Sequence, residues 1–213
     1  MFFIKKPHLV KEVVSLENKY ILDQALSRKK GVILVSGHFG NFPLMLLRLK
    51  AAGYLINGIV RPMRDERVEK MFSKIKNDLE IKTIHSKPPK ACVNSIIRAL
   101  KNNEIVFILL DQNFGTGGIF VDFFGRKAAT AVGPAVLALR TKAAIVPCFI
   151  VREEDNTQKI VIEQEFRLEK KKDFNQTVLI NIQKLTSIIE SYIRRYPSQW
   201  AWIHRRWKTK PKP

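Results

Sequence analysis

The stretch Gly31-Val-Ile-Leu-Val-Ser-Gly-His-Phe-Gly-Asn-Phe-Pro43 decides how this chain is read. Val32 to Val35 is an unbroken apolar run, too short for a helix and rich in β-branched residues. It is expected to be a strand buried on both faces. Ser36 and Gly37 end that strand. Asn41 is placed as the N-cap of a following helix, with Pro43 in its first turn, where a missing N–H costs nothing. His38 then stands at the carboxyl end of a central strand, facing the start of a helix. Open α/β sheets gather ligands and chemistry in that crevice. A polar residue that merely caps a turn is the competing reading at this point.

Working outward, Val14 to Arg28 reads as a helix before this strand, and Leu44 to Ala52 as one after it, stopped by Gly53. Tyr54 to Val60 is a second strand, ending at Arg61-Pro62. Asp65 to Leu79 carries an apolar stripe (Val68, Met71, Phe72, Ile75) at helical spacing. A short strand, Ile81 to Ile84, and a helix, Ala91 to Lys101, lead to another apolar strand, Ile105 to Leu110, which ends at Asp111-Gln112. Asn113 to Thr130 reads as a long irregular segment of interleaved glycines and aromatics. Val132 to Thr141 is a helix and Ala144 to Val151 a strand shaped by Pro147. The polar turn Glu153 to Lys159 joins that strand to Ile160–Glu165 as a hairpin. Val178 to Arg195 is the last helix, before an aromatic and basic tail from 196 to 213.

Alternating strands and helices imply a single α/β domain over residues 1–213. Its central sheet is expected to be mostly parallel, flanked by helices, with an antiparallel edge. In a parallel sheet the polar endings His38, Arg61 and Asp111 converge on one edge.

The formal charge is +19, from 38 Lys and Arg against 19 Asp and Glu. Such a balance calls for an anionic partner: nucleic acid, an anionic membrane surface or a phosphorylated substrate. Cys92 and Cys148 sit in apolar settings and read as buried thiols of a reduced cytoplasmic protein. No stretch reaches the roughly 18 apolar residues of a membrane span. The opening Met-Phe-Phe-Ile-Lys-Lys-Pro is too soon charged for a secretory signal. Work on a membrane is therefore expected from its surface.

Four blocks carry a resemblance to a known family: Ser36-Gly-His-Phe-Gly-Asn-Phe42; Ile59-Val-Arg-Pro62; Asp111-Gln-Asn-Phe-Gly115 with Phe120-Val-Asp-Phe-Phe-Gly125 and Thr130; and Ala144-Ile-Val-Pro-Cys-Phe149 with the closing Trp200-Ala-Trp-Ile-His-Arg-Arg-Trp-Lys-Thr-Lys-Pro211. Together they resemble the lysophospholipid acyltransferase superfamily and, within it, the lipid A biosynthesis (lauroyl/myristoyl) acyltransferases. The resemblance runs from about residue 14 to the end, without the N-terminal portion that in typical members carries a membrane-anchoring helix. It implies a glycerol-3-phosphate acyltransferase-like fold at the cytoplasmic face of the inner membrane, held peripherally. The implied reaction moves a fatty acyl group from acyl carrier protein, or coenzyme A, to a hydroxyl of a lipid A precursor or related membrane lipid. No cofactor and no metal are expected.

His38 matches the family's catalytic base, and Arg61 its phosphate or substrate contact. The family motif is His-x4-Glu or Asp, and here that acidic position is Pro43. Three explanations compete. Asp111, or failing it Asp122, orients the imidazole; a backbone carbonyl does so at a lower rate; or catalysis is lost and lipid binding kept. Asp111 as a simple loop cap is the bland alternative. Asn41 and Gln112 complete the substrate contacts, and Phe114 belongs to a segment read as a wall of the acyl-chain groove. In the tail, Trp200, Trp202 and Trp207 are expected to pack or sit at a bilayer interface, while Arg205 and Arg206 meet lipid phosphates. A nucleic-acid-binding protein is the rival from another class. Its basic residues would have to form a recognised module, and here they are dispersed.

Overall fold

The computed structural model describes residues 10–61, 67 and 81–211. Nine strands and six helices are labelled here in chain order among those residues: α1 Val10–Val13, β1 Val14–Glu17, α2 Lys19–Ser27, β2 Val32–Ser36, α3 Phe42–Ala51, β3 Ile56–Val60, β4 Lys82–His85, α4 Pro89–Lys101, β5 Ile105–Leu109, β6 Ile119–Phe123, β7 Arg126–Thr130, α5 Gly133–Thr141, β8 Ala144–Arg152, β9 Gln158–Ile162 and α6 Phe174–Arg195. Of the expected helix at Asp65–Leu79, only Arg67, helical and exposed, falls within the described residues.

Seven strands form one sheet in the order β1-β9-β8-β2-β5-β3-β4. Every pairing is parallel except β8 with β9. The architecture is therefore the expected α/β one, but the antiparallel pair is internal, because β1 adds in parallel outside β9. β2 sits between β8 and β5, and each of its residues is buried. Its side chains alternate between two cores. Val32 and Leu34 face Leu22, Met45 and Leu49 of α2 and α3, whereas Ile33 and Val35 face Leu100, Leu185 and Ile189 of α4 and α6. Both faces being covered is why the strand is apolar without interruption. A fully buried leucine such as Leu49 contributes about 1.5–3 kcal/mol through removal of its surface from water.

Helix α3 begins as its sequence dictates. Asn41 Oδ1 accepts from the Leu44 N–H at 3.2 Å, and Pro43 occupies the first turn. α6 is capped by Asp173, whose Oδ2 accepts from the Gln176 N–H at 2.6 Å.

Two expectations need correction. Val14 to Arg28 is not one helix. Val14–Glu17 pairs with β9, and the chain turns through Asn18 at φ 57 before α2. Edge pairing overrode a helical pattern that only Ile21, Leu22 and Ala25 carry. The irregular segment also contains a hairpin, β6 with β7, closed by Phe124 and Gly125 at φ 53 and 70. Two successive positive φ values form the tight turn whose twist suits antiparallel strands. The hairpin packs on α6, where Gln183 accepts from the Asp122 N–H and donates back to the Asp122 carbonyl.

Candidate active site

β2 and β5 run side by side in register, with Ser36 opposite Leu109. Their carboxyl ends stay together for one step more, because the Leu110 N–H donates to the Ser36 carbonyl at 2.9 Å. His38 and Asp111 therefore emerge next to each other. His38 Nδ1 lies 2.8 Å from Asp111 Oδ1, and the His38 backbone N–H donates to Oδ2 at 2.8 Å. Trp200 Nε1 donates to the same Oδ2 at 2.7 Å. Asp111 is 2% exposed, whereas the His38 side chain keeps 24% of its surface open.

Burial pushes the Asp111 carboxyl up. The hydrogen bond and charge of His38 and the Trp200 indole more than offset that, and hold it below its ordinary value. A buried, ionised carboxylate can only accept, so His38 Nδ1 carries the ring proton and Nε2 presents its lone pair. Gln112 Nε2 donates to that atom at 3.0 Å. The edge of Phe42 flanks the ring, with centroids 5.4 Å apart. An imidazole fixed in this tautomer, with its lone-pair nitrogen on the open side, is arranged to take a proton from a bound hydroxyl.

Two glycines line this corner, and Gly40 is required there. A Cβ on Gly37 would lie 3.3 Å from the Asp111 carboxyl, leaving no slack beside the dyad. Gly40, at φ 55, would place a Cβ 2.2 Å from the Ile150 carbonyl oxygen.

The C-terminal tail closes the corner from above. The Gly40 N–H donates to Gln199 O at 2.7 Å, Ala201 N–H to His38 O at 3.0 Å, and Phe39 bridges Trp200 in antiparallel fashion. Asn113 binds the tail through its N–H to His204 Nε2 at 3.0 Å and through its amide to Thr209 Oγ1 at 3.0 Å. Burial lowers the His204 pKa. The Asp111 charge opposes that, while His38 and Arg206 add to it.

Arg206 corrects a sequence expectation. Its side chain is fully buried and donates to Ala129 O at 2.7 Å, Thr130 Oγ1 at 2.5 Å and Gln112 O at 3.4 Å. Burial lowers its pKa to about 10 against the pull of Asp111, which still leaves a cation at neutral pH. A guanidinium sealed under the hairpin fastens the tail and reaches no lipid phosphate. Arg205, its neighbour, is exposed.

The other expected residues are spread around the dyad. Arg61 is exposed at the end of β3, one strand beyond β5 on the same sheet edge. Asn41 is exposed, with its side-chain oxygen engaged as the α3 cap. Phe114 is 57% exposed. Asp122, the second choice as orienting acid, is on the outside of the hairpin, paired with Lys127 at 3.1 Å. Pro43 is exposed and borders a polar cavity of about 380 Å³ shared with Asn41, Arg152 and Gln199.

The indoles divide: Trp200 is buried against Asp111, Trp207 is half-buried with Nε1 donating to Phe123 O, and Trp202 is exposed. No local pattern marks Trp200 as a partner of Asp111, because the contact joins positions 89 apart. Among the described residues, no group of three or more His, Cys, Asp or Glu is placed to hold a metal ion. Nor is any helix among them long and apolar enough to cross a membrane.

The family model for bacterial lipid A biosynthesis acyltransferases matches residues 1–209. The lipid A biosynthesis palmitoleoyltransferase of Escherichia coli (strain K12) is 28% identical over 206 residues, covering 94% of this chain and 62% of that protein. The lauroyltransferase of the same organism is 26% identical over 208 residues, with the same coverage. A phosphatidylinositol mannoside acyltransferase of Mycobacterium tuberculosis is 27% identical over 130 residues, 59% of this chain and 40% of that protein. The chain thus spans about three-fifths of the length of the E. coli relatives it matches. By its match over residues 1–209, the chain belongs to the bacterial lipid A biosynthesis acyltransferase family.

Proposed function

We propose that this chain is an O-acyltransferase that moves a fatty acyl group from a thioester, on acyl carrier protein or coenzyme A, to a hydroxyl of a lipid A precursor or related membrane lipid. It works at the cytoplasmic face of the inner membrane. The acceptor hydroxyl displaces the Gln112 amide from His38 Nε2 and gives that nitrogen its proton as the oxygen attacks the thioester carbon. A carbon–oxygen bond forms, and the former carbonyl oxygen carries the negative charge. The carbon–sulfur bond then breaks, and the departing thiolate takes the proton from His38, which returns to its starting tautomer. Asp111 touches neither substrate. It orients the imidazole and stabilises the imidazolium that forms between the two proton transfers. Arg61 and Arg205 supply exposed positive charge for the phosphates of the acceptor.

The observation that carries this reading is the 2.8 Å hydrogen bond between His38 Nδ1 and a buried Asp111, which leaves Nε2 on the open side. The same bond supports retained chemistry over a catalytically impaired lipid-binding relative, since Asp111 fills the role that Pro43 vacates. Acyl transfer from radiolabelled acyl carrier protein and acyl coenzyme A to lipid A precursors tests it. Product formed by the wild type and lost in His38→Ala is expected. Equal turnover by both proteins refutes it.

A further inference from the structure

We propose that the turn Trp202–Ile203 embeds in the headgroup layer of an anionic bilayer, beside the dyad. Ile203 is 97% exposed and Trp202 54% exposed. Single exposed apolar residues are ordinary on protein surfaces; the surroundings of this pair are not. The segment Trp200 to Pro211 contains five Lys, Arg or His and no carboxylate, in the order Trp-Ala-Trp-Ile-His-Arg-Arg-Trp-Lys-Thr-Lys-Pro. With Arg206 buried and His204 half-buried, the outward cations are Arg205, Lys208 and Lys210.

Two more guanidinium groups lie on aromatic faces nearby. Arg194, also paired with Glu190, stands 4.6 Å over Phe124, whose ring neighbours Trp202; Arg126 stands 5.1 Å over Trp207. An apolar tip with an indole beside it and cations around it matches the layered chemistry of a lipid interface: acyl boundary, headgroup, phosphate. An acidic protein would answer the cations but would gain little from an isoleucine standing almost wholly clear of its own fold. The bilayer answers both.

The tip is also held stiffly. Trp202 Nε1 donates to Pro197 O at 2.7 Å, and the backbone of the turn closes on itself from Trp202 N–H to Trp200 O at 2.9 Å and from Arg206 N–H to His204 O at 2.9 Å. The Ala201 N–H, next to the tip, donates to the His38 carbonyl. Embedding the tip therefore sets the height of the imidazole relative to the lipid plane. That consequence rests on the proposed acyl transfer, whereas the embedding does not.

Tryptophan emission and vesicle flotation test the proposal, with vesicles of phosphatidylglycerol and phosphatidylcholine, vesicles of phosphatidylcholine alone, and both types carrying brominated acyl chains. The wild type is expected to float with the anionic vesicles, to shift its emission to the blue and to be quenched by bromine. Trp202→Phe loses the quenching. Ile203→Glu weakens partition about tenfold or more, and removing Lys208 or Lys210 weakens it about fivefold per charge on anionic vesicles only. Wild-type binding with no bromine quenching, or Ile203→Glu binding as the wild type does, overturns the proposal. So does an Ile203→Glu variant that loses affinity for acidic acyl carrier protein while floating normally. His38→Ala separates the two readings: it abolishes turnover and leaves flotation unchanged.

Discussion

The Trp200 indole and the His38 imidazole grip the same carboxylate: Trp200 Nε1 donates to Asp111 Oδ2 at 2.7 Å, and His38 Nδ1 meets Oδ1 at 2.8 Å. The tail of the chain is thus part of the candidate active-site corner, and changes there are expected to be read out at the histidine.

Replacing Asp111 with Asn keeps the shape and removes the charge. With its one oxygen claimed by the His38 N–H and the Trp200 indole, the amide turns its NH2 toward Nδ1, which favours the wrong tautomer and brings no charge to stabilise an imidazolium, so turnover is expected to fall about 10²–10⁴-fold. Steady-state acyl transfer by a protein with wild-type circular dichroism checks this. Pro43→Glu, by contrast, is expected to leave turnover near the wild-type rate, since Nδ1 is already occupied and Pro43 is exposed. A large gain in Pro43→Glu would mean that Asp111 does not do the orienting.

Trp200→Phe leaves a buried carboxylate one donor short, at a cost of about 1–3 kcal/mol. The sign of its pH dependence follows from Asp111. The folded pKa lies below the ordinary 3.8. Stability from Asp111 is therefore present above that value and lost as pH falls through the lowered one. The gap between wild type and Trp200→Phe should be widest near neutrality and shrink below pH 3.8, measured by urea unfolding across that range.

His204 acts in the same direction, in a higher pH window. Its folded pKa lies below the ordinary 6.5, so below that pH the unfolded chain binds a proton that the folded one resists. Stability is lost on acidification through this window. His204→Gln, whose side-chain oxygen can still accept from the Asn113 N–H, should flatten thermal stability between about pH 7 and pH 5.

Arg206→Ala removes a donor from three acceptors, of which Ala129 O keeps the Phe114 N–H, and opens a cavity beneath the hairpin. A loss of about 3 kcal/mol or more is expected, and protease should then cut the tail before the sheet. Arg205→Ala, on the surface, should leave unfolding unchanged.

What could be read from the chain alone was whatever depends on neighbours in sequence. Val32 to Val35 announces a strand covered on both sides, and Asn41 with Pro43 announces the start of α3. The convergence of His38, Arg61 and Asp111 follows from parallel strands ending on one edge, and it makes Asp111 the candidate orienting acid where Pro43 stands in place of the usual one. The roles of the tail are not legible in this way because distant partners set them. Arg205 and Arg206 are indistinguishable in sequence, yet one is exposed and the other is sealed against Ala129 and Thr130. The Trp200–Asp111 bond and the β1–β9 pairing are likewise long-range contacts that no periodicity encodes.

The most direct test of the account is the initial rate of acyl transfer to a lipid hydroxyl by wild type and His38→Ala, each verified as folded by its thermal melt. Loss of the general base is expected to lower that rate at least ~10²-fold while thermal stability holds. Undiminished transfer by the folded variant, on every donor that the wild type accepts, would contradict it.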